Sequence, residues 1–140
     1  MINVLSTRQN RILTIVFLAI SIVFAVSAFI VGISDNPPGI LLAFGSAVAL
    51  ILAVVHPWKT TKQFRRLLYG ALLGFVVFAI LHNLFEALAG KLAGSGVFQI
   101  VLQGFGVAAF LIAVLICPSA IVVSVIGLLI TFIRNHRRTR

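Results

Sequence analysis

Four long apolar runs divide this chain, and turn-forming or basic residues separate them. A helix needs about 20 apolar residues to cross a hydrocarbon core of about 30 Å. The first run, 12–33, carries no charge and is predicted to be one such helix. It stops at Ser34-Asp35-Asn36-Pro37-Pro38-Gly39, where two prolines remove backbone donors and Asp35 and Asn36 favour turns. The second run, 39–55, ends at His56-Pro57-Trp58, with Trp58 expected at the membrane interface. Lys59, Lys62, Arg65 and Arg66 then make 59–66 a basic connector. The third run, 67–88, has Tyr69 near its start as a second interfacial aromatic. A flexible break at Gly90 and Gly94-Ser95-Gly96 follows it.

From Val97 to Ile133 there is no charge at all. That stretch is too long for one upright span and too short for two spans plus a turn. Either 97–105 is an interfacial helix before a span over 107–133, or two short spans meet at Cys117-Pro118. Basic residues are held on the cytoplasmic side of a membrane, and this rule separates the two. A fifth span would place Arg134, Arg137, Arg138 and Arg140 opposite every other basic cluster. With four spans every Lys and Arg except Lys91 is cytoplasmic. Gln99 and Gln103, one turn apart on a helix otherwise covered by Phe98, Val101, Leu102 and Phe105, suit an interfacial segment. Pro118 falls inside the fourth span and is expected to bend it.

The sequence therefore predicts an all-α integral membrane protein. Its four transmembrane helices form an up-down bundle with short connectors, both ends cytoplasmic, in a single transmembrane domain over 1–140. Composition strengthens this picture. The chain has 140 residues, 61% hydrophobic and 9% charged, whereas soluble domains carry roughly 25% charged residues. The net charge of +9 would suggest nucleic acid in a soluble protein. Here the cations sit at the ends of apolar runs, so the expected partner is the lipid bilayer and not nucleic acid. Lys59, Lys62, Arg65 and Arg66, with the tail residues Arg134, Arg137, Arg138 and Arg140, are candidates for contact with anionic headgroups or an acidic partner. The N-terminus resembles a signal peptide in its charges and small residues. Its apolar run is longer than the usual signal core, so it is predicted to be a span. The absence of a presequence and the clean charge bias favour a prokaryotic plasma membrane.

Burial alone gives helices in lipid no reason to associate, whereas small residues on one face allow close backbone approach. The second span has two such ladders, Gly39–Ala43–Ala47 and Gly45–Ala49–Ala53, which makes it the expected central helix with two neighbours. The third has Gly70-Ala71-Leu72-Leu73-Gly74. The first offers Ser21–Ala25 and Ala28–Gly32, and the fourth Ala109–Ala113 and Ala120–Ser124. Such faces can pack within one chain, between copies, or against other membrane subunits.

One cluster could carry chemistry. His82, Asn83 and Glu86 are spaced to share a helical face, and an ionisable residue inside a span is costly enough to suggest a role. Counted from the cytoplasmic start of its span, however, Glu86 lies near the outer headgroups. A polar cap joining Glu86 to His82, Gln99, Gln103 or Lys91 explains these residues without any activity and is the expected arrangement. A metal site lacks ligands, since zinc usually takes three or four and this pair supplies two. Cys117, the single cysteine, reads as packing. The serines stand in apolar spans without a neighbouring base, and there is no phosphate-binding loop, CxxC or dinucleotide fingerprint. No cofactor is expected. These residues suggest first a non-enzymatic accessory subunit or scaffold acting through its helix faces. A homo-oligomeric transporter or channel using the His82 cluster comes second, and an intramembrane enzyme third.

Overall fold

The first helix ends where glycine permits it. The computed structural model describes residues 2–33, 36–92 and 96–138, with side chains between 8 and 137 within those ranges. Ser34 and Asp35 of the predicted turn, Gly94 and Ser95 of the predicted break, and Arg140 of the tail lie outside them, as does the side chain of Arg138. Helix α1 covers Ile2–Val31. Gly32 then adopts φ +86°, a conformation that favours glycine, and Asn36 Nδ2 donates to the Val31 carbonyl at 2.9 Å. Helix α2, Pro37–Val55, begins with proline at its first position, where the missing N–H has no helical partner to lose. Gly39 lies directly against the Gly32 carbonyl, so any side chain there would strike the backbone of the turn.

Helix α3 covers Thr61–Lys91, beginning six residues before the apolar run. Thr60 and Gln63 form a capping box that starts it: Gln63 Oε1 accepts from the Thr60 hydroxyl at 2.8 Å and from the Thr60 amide at 3.2 Å. The basic connector is therefore mostly helix, with Lys62, Arg65 and Arg66 on its first turns. The last run forms α4, Val97–Leu111, a π turn at Ile112–Ile116, and α5, Cys117–Arg138, without a break. Residues 97–105 are the opening turns of this rod. Pro118 cannot donate to the residue one turn back, and its ring crowds that carbonyl. The chain answers with the π turn just before it, where the Cys117 amide bonds the Ile112 carbonyl. α1, α2, α3 and the α4–α5 rod are each long and apolar enough to cross a membrane, and the described residues form no strand.

The helices lie in the order α1, α2, α5, α3 and do not close into a ring. Among the described residues α1 packs on α2 alone, α2 packs also on α5 and the π turn, and α3 packs on α4, the π turn and α5. The second span thus has two neighbours. The consecutive pair α2 and α3, neighbours in a simple up-down bundle, flank α5 and come together around the cluster of Val55, Phe64 and Val123. α5 can take a helix on either side because Cys117, Ser119, Ala120, Ser124 and Gly127 are small and buried along it.

Polar contacts fix the register. Ser21 Oγ donates to the Ser46 carbonyl at 3.0 Å and Ser46 Oγ to the Ser21 carbonyl at 2.9 Å, locking α1 to α2. Thr14 Oγ1 reaches the Ala53 carbonyl at 3.4 Å. Thr61 and Thr131 hydroxyls meet at 3.5 Å, and Arg134 donates to the Lys59 carbonyl at 2.8 Å. These contacts bring the start of the α1 apolar run, the end of α2, the start of α3 and the end of α5 to one end of the molecule. Arg11, Lys59, Lys62 and Arg134 share that end, and Lys91 closes α3 at the other.

Length then creates a stagger. α2 has 19 residues, about 28 Å at 1.5 Å each. The final rod, Val97–Arg137, has 41, about 62 Å by the same rise. α2 lies beside α5 and the π turn and nowhere touches α4. α4, with the end of α3 packed on it, therefore projects past the α1–α2 hairpin as a two-helix prong.

Candidate functional site

The foot of that prong holds the histidine. His82 Nδ1 lies 3.0 Å from the Gly106 carbonyl of α4, so this nitrogen carries the proton and donates it across the helix pair. Gly106 packs closely here: a methyl added to it would be in ordinary contact with Phe85 Cβ at 3.6 Å and with His82 Nδ1 at 3.9 Å. The His82 ring also tilts against Phe110 at 5.1 Å, and Phe85 packs on Phe105 at 5.7 Å one turn further out.

The predicted cluster divides. Glu86 Oε2 stands 3.6 Å from His82 Nε2, beyond hydrogen-bond distance, and the carboxylate is 73% exposed. Gln103 joins these two on the wall of an open cleft of about 430 Å³ with Ala89, Gly90 and Val107. Asn83 turns to its own helix, donating to the Ala79 carbonyl at 2.8 Å on an exposed face. Gln99 is half-buried and is not among the residues lining the cleft. Among the described residues no three of His, Cys, Asp and Glu come close enough to hold a metal ion.

The small-residue positions fall into distinct settings. Gly39, Ala43, Ala47, Ala49 and Ala53 are buried. At Gly45 an added methyl would press on the Phe24 ring of α1. Gly74 faces Cys117 Sγ, which would lie 3.4 Å from an added methyl, whereas Gly70 has nothing within 4 Å. Gly127 is the tightest contact between α3 and α5, with the Phe64 ring seated directly on it. Sequence reasoning did not single out Gly127 or Gly106. Each is a small residue in a uniformly apolar stretch, and only the register between helices gives it a partner. The start of α3 was also missed, although the Thr60-x-x-Gln63 spacing is a signal that could have found it.

The cations are exposed at Lys59, Lys62, Arg65, Arg66, Arg134 and Arg137. Arg134 differs from the others in being tied to the α2–α3 connector by its bond to Lys59. His56, at the end of α2, donates from Nδ1 to the Leu52 and Ala53 carbonyls at 3.2 and 3.1 Å and rests against Phe17 of α1. Comparison with known protein families, with curated proteins and with solved structures finds no match to this chain.

Proposed function

We propose that this chain is a non-enzymatic membrane subunit, an accessory protein or scaffold that works by presenting helix faces to another membrane protein or to a second copy of itself. The observation that carries the reading is the prong. Val97, Phe98, Ile100, Val101 and Phe105 stand 46–77% exposed along it, and α4 touches neither α1 nor α2. Helices in membranes associate by close packing of such faces. The gathering of basic residues at the opposite end supports an orientation with both termini cytoplasmic in a prokaryotic plasma membrane. The opening turns of α4, with Gln99 and Gln103, then lie in the outer leaflet near the headgroups.

The test is site-specific photocrosslinking in native membranes. A photoreactive residue at Val101 or Phe105 should give one discrete protein adduct, and one at the exposed Leu41 of α2 should label lipid only. Lipid labelling at all three positions would count against the reading. An adduct of twice the chain mass would identify self-assembly.

A second reading rests on the cleft at His82, Glu86 and Gln103: a homo-oligomeric transporter or channel in which this polar pocket lines an outer vestibule. Proton-coupled flux in proteoliposomes that disappears in Glu86→Gln would support it. Vesicles that pass no tested ion or solute would not.

A further inference from the structure

At the cationic end, the gap between α2 and α5 is a groove of about 360 Å³. Val48 and Leu52 of α2 form one wall, and Val122, Ile126 and Ile130 of α5 form the other. Its mouth carries Trp58, His56 and Arg134. From Val122 to Arg134 the groove follows α5 for about 18 Å at 1.5 Å per residue. One leaflet of a bilayer has a hydrocarbon depth of about 15 Å, half of a 30 Å core. The dimensions are those of an acyl chain entering from the headgroup side.

The charge at the mouth selects the lipid. Arg134 spends one N–H on the Lys59 carbonyl, and a guanidinium has five donors in a fixed fork suited to phosphate. The tether holds α5 and the α2–α3 connector together, so the guanidinium is already placed at the rim. Lys59 and Lys62 stand on the same side. Glu86, the described carboxylate, lies at the other end of α3. Trp58 packs edge-on against Phe64 at 5.7 Å and lines the mouth, a position where an amphipathic ring sits at headgroup level. His56 Nε2 is buried and finds no partner among the described residues.

We infer that this groove is a binding site for one anionic phospholipid of the surrounding leaflet, its acyl chain between α2 and α5 and its phosphate on Arg134. The site is separate from the prong and does not depend on the functional reading given above.

The full-length protein is extracted from vesicles of phosphatidylglycerol and phosphatidylcholine, washed in mild detergent and weighed by native mass spectrometry. Wild type should retain one phosphatidylglycerol per chain in preference to phosphatidylcholine. Arg134→Gln should lower retention roughly fivefold, the effect of one basic residue near an anionic surface. Ile126→Trp, which fills the groove while keeping the charge, should lower it as far. Lys91→Gln, at the far end of α3, should leave it unchanged. Unfolding midpoints of the variants show whether each remains folded, and Arg134→Lys preserves the charge should Arg134→Gln lose its fold. Equal retention of both lipids by wild type, or full retention by Ile126→Trp, would overturn the proposal, the latter because the lipid would then sit on the basic surface alone.

Discussion

Ser21 and Ser46 each donate a hydroxyl proton to the other's main-chain carbonyl, at 3.0 and 2.9 Å, with their hydroxyl oxygens 3.2 Å apart. This reciprocal clasp joins two helices that meet elsewhere through small and aromatic residues and through the Thr14 bond to Ala53. Among the described residues α1 has no second neighbour, so the α1–α2 interface holds it to the rest of the chain. Hydrogen bonds between membrane helices contribute about 0.6 kcal/mol on average and up to about 2 kcal/mol. Ser21→Ala and Ser46→Ala are each expected to lower stability by about 1 kcal/mol. The double variant should lose close to the sum, because each change removes one hydroxyl donor and leaves the carbonyl that accepts from the other serine in place. Denaturant titration of the four proteins closes the cycle.

Ser119 is the opposite case. It is 2% exposed and its hydroxyl has no partner among the described residues. An unsatisfied buried hydroxyl costs about 1–3 kcal/mol, so Ser119→Ala should leave stability unchanged or raise it. The neighbouring Ser124 donates to the Ala120 carbonyl, and Ser124→Ala should not gain. The same titration, run on the two variants side by side, measures the difference.

Glycine substitutions should separate sharply. A methyl at Gly127 would run into the Phe64 ring, and overpacking of this kind costs about 1–3 kcal/mol. Gly127→Ala should destabilise by that amount, and Phe64→Leu in the same chain should restore part of it. Gly70→Ala, with nothing within 4 Å, should be neutral or stabilising, since alanine favours a helix by up to about 1 kcal/mol.

At the foot of the prong, His82→Ala removes both the bond to Gly106 and the contact with Phe110. It should lower the unfolding free energy by about 1–2 kcal/mol. Glu86→Gln alters an exposed carboxylate and should change stability by less than about 1 kcal/mol. The pair of values distinguishes an interhelical pin at His82 from a mutually dependent cap.

A reporter fused after Arg140 should be active in the cytoplasm, and one inserted at Gly96 should be active outside. These outcomes follow from the single cationic end and from an even number of spans.

How much of this was legible in the residues depends on what each feature needs. The apolar runs are local and the sequence predicts them to within a few residues, whereas Gly32, read as part of the first span, ends it, and Pro37, read as part of the turn, starts α2. The early start of α3 was also local, yet Lys62, Arg65 and Arg66 read as a connector because charge was taken to end the helix. A helix leaving the hydrocarbon core has no reason to stop there. Pro118 marked a disturbance, although its form, a widened turn in place of a sharp break, depends on how α5 is held by α2 and α3. At the polar cluster, the spacing of His82 and Glu86 was visible. The partner of His82 was not, because Gly106 meets it only through the register of α3 on α4. The groove at Arg134 needed three segments brought together and had no signature in any one of them.

The π turn at 112–116 has a further consequence. Each α-helical residue advances the chain by about 100° around the axis, and the wide turn already absorbs one extra residue, so a second one acts as a rotation of everything upstream. Inserting a residue beside Val114 should swing α4 around the rod axis and carry Gly106 away from His82. The seat of Phe64 on Gly127, downstream, would stay where it is. The two halves of the longest helix can thus be re-phased independently, and chain length at this one place sets which face the projecting half turns toward its surroundings.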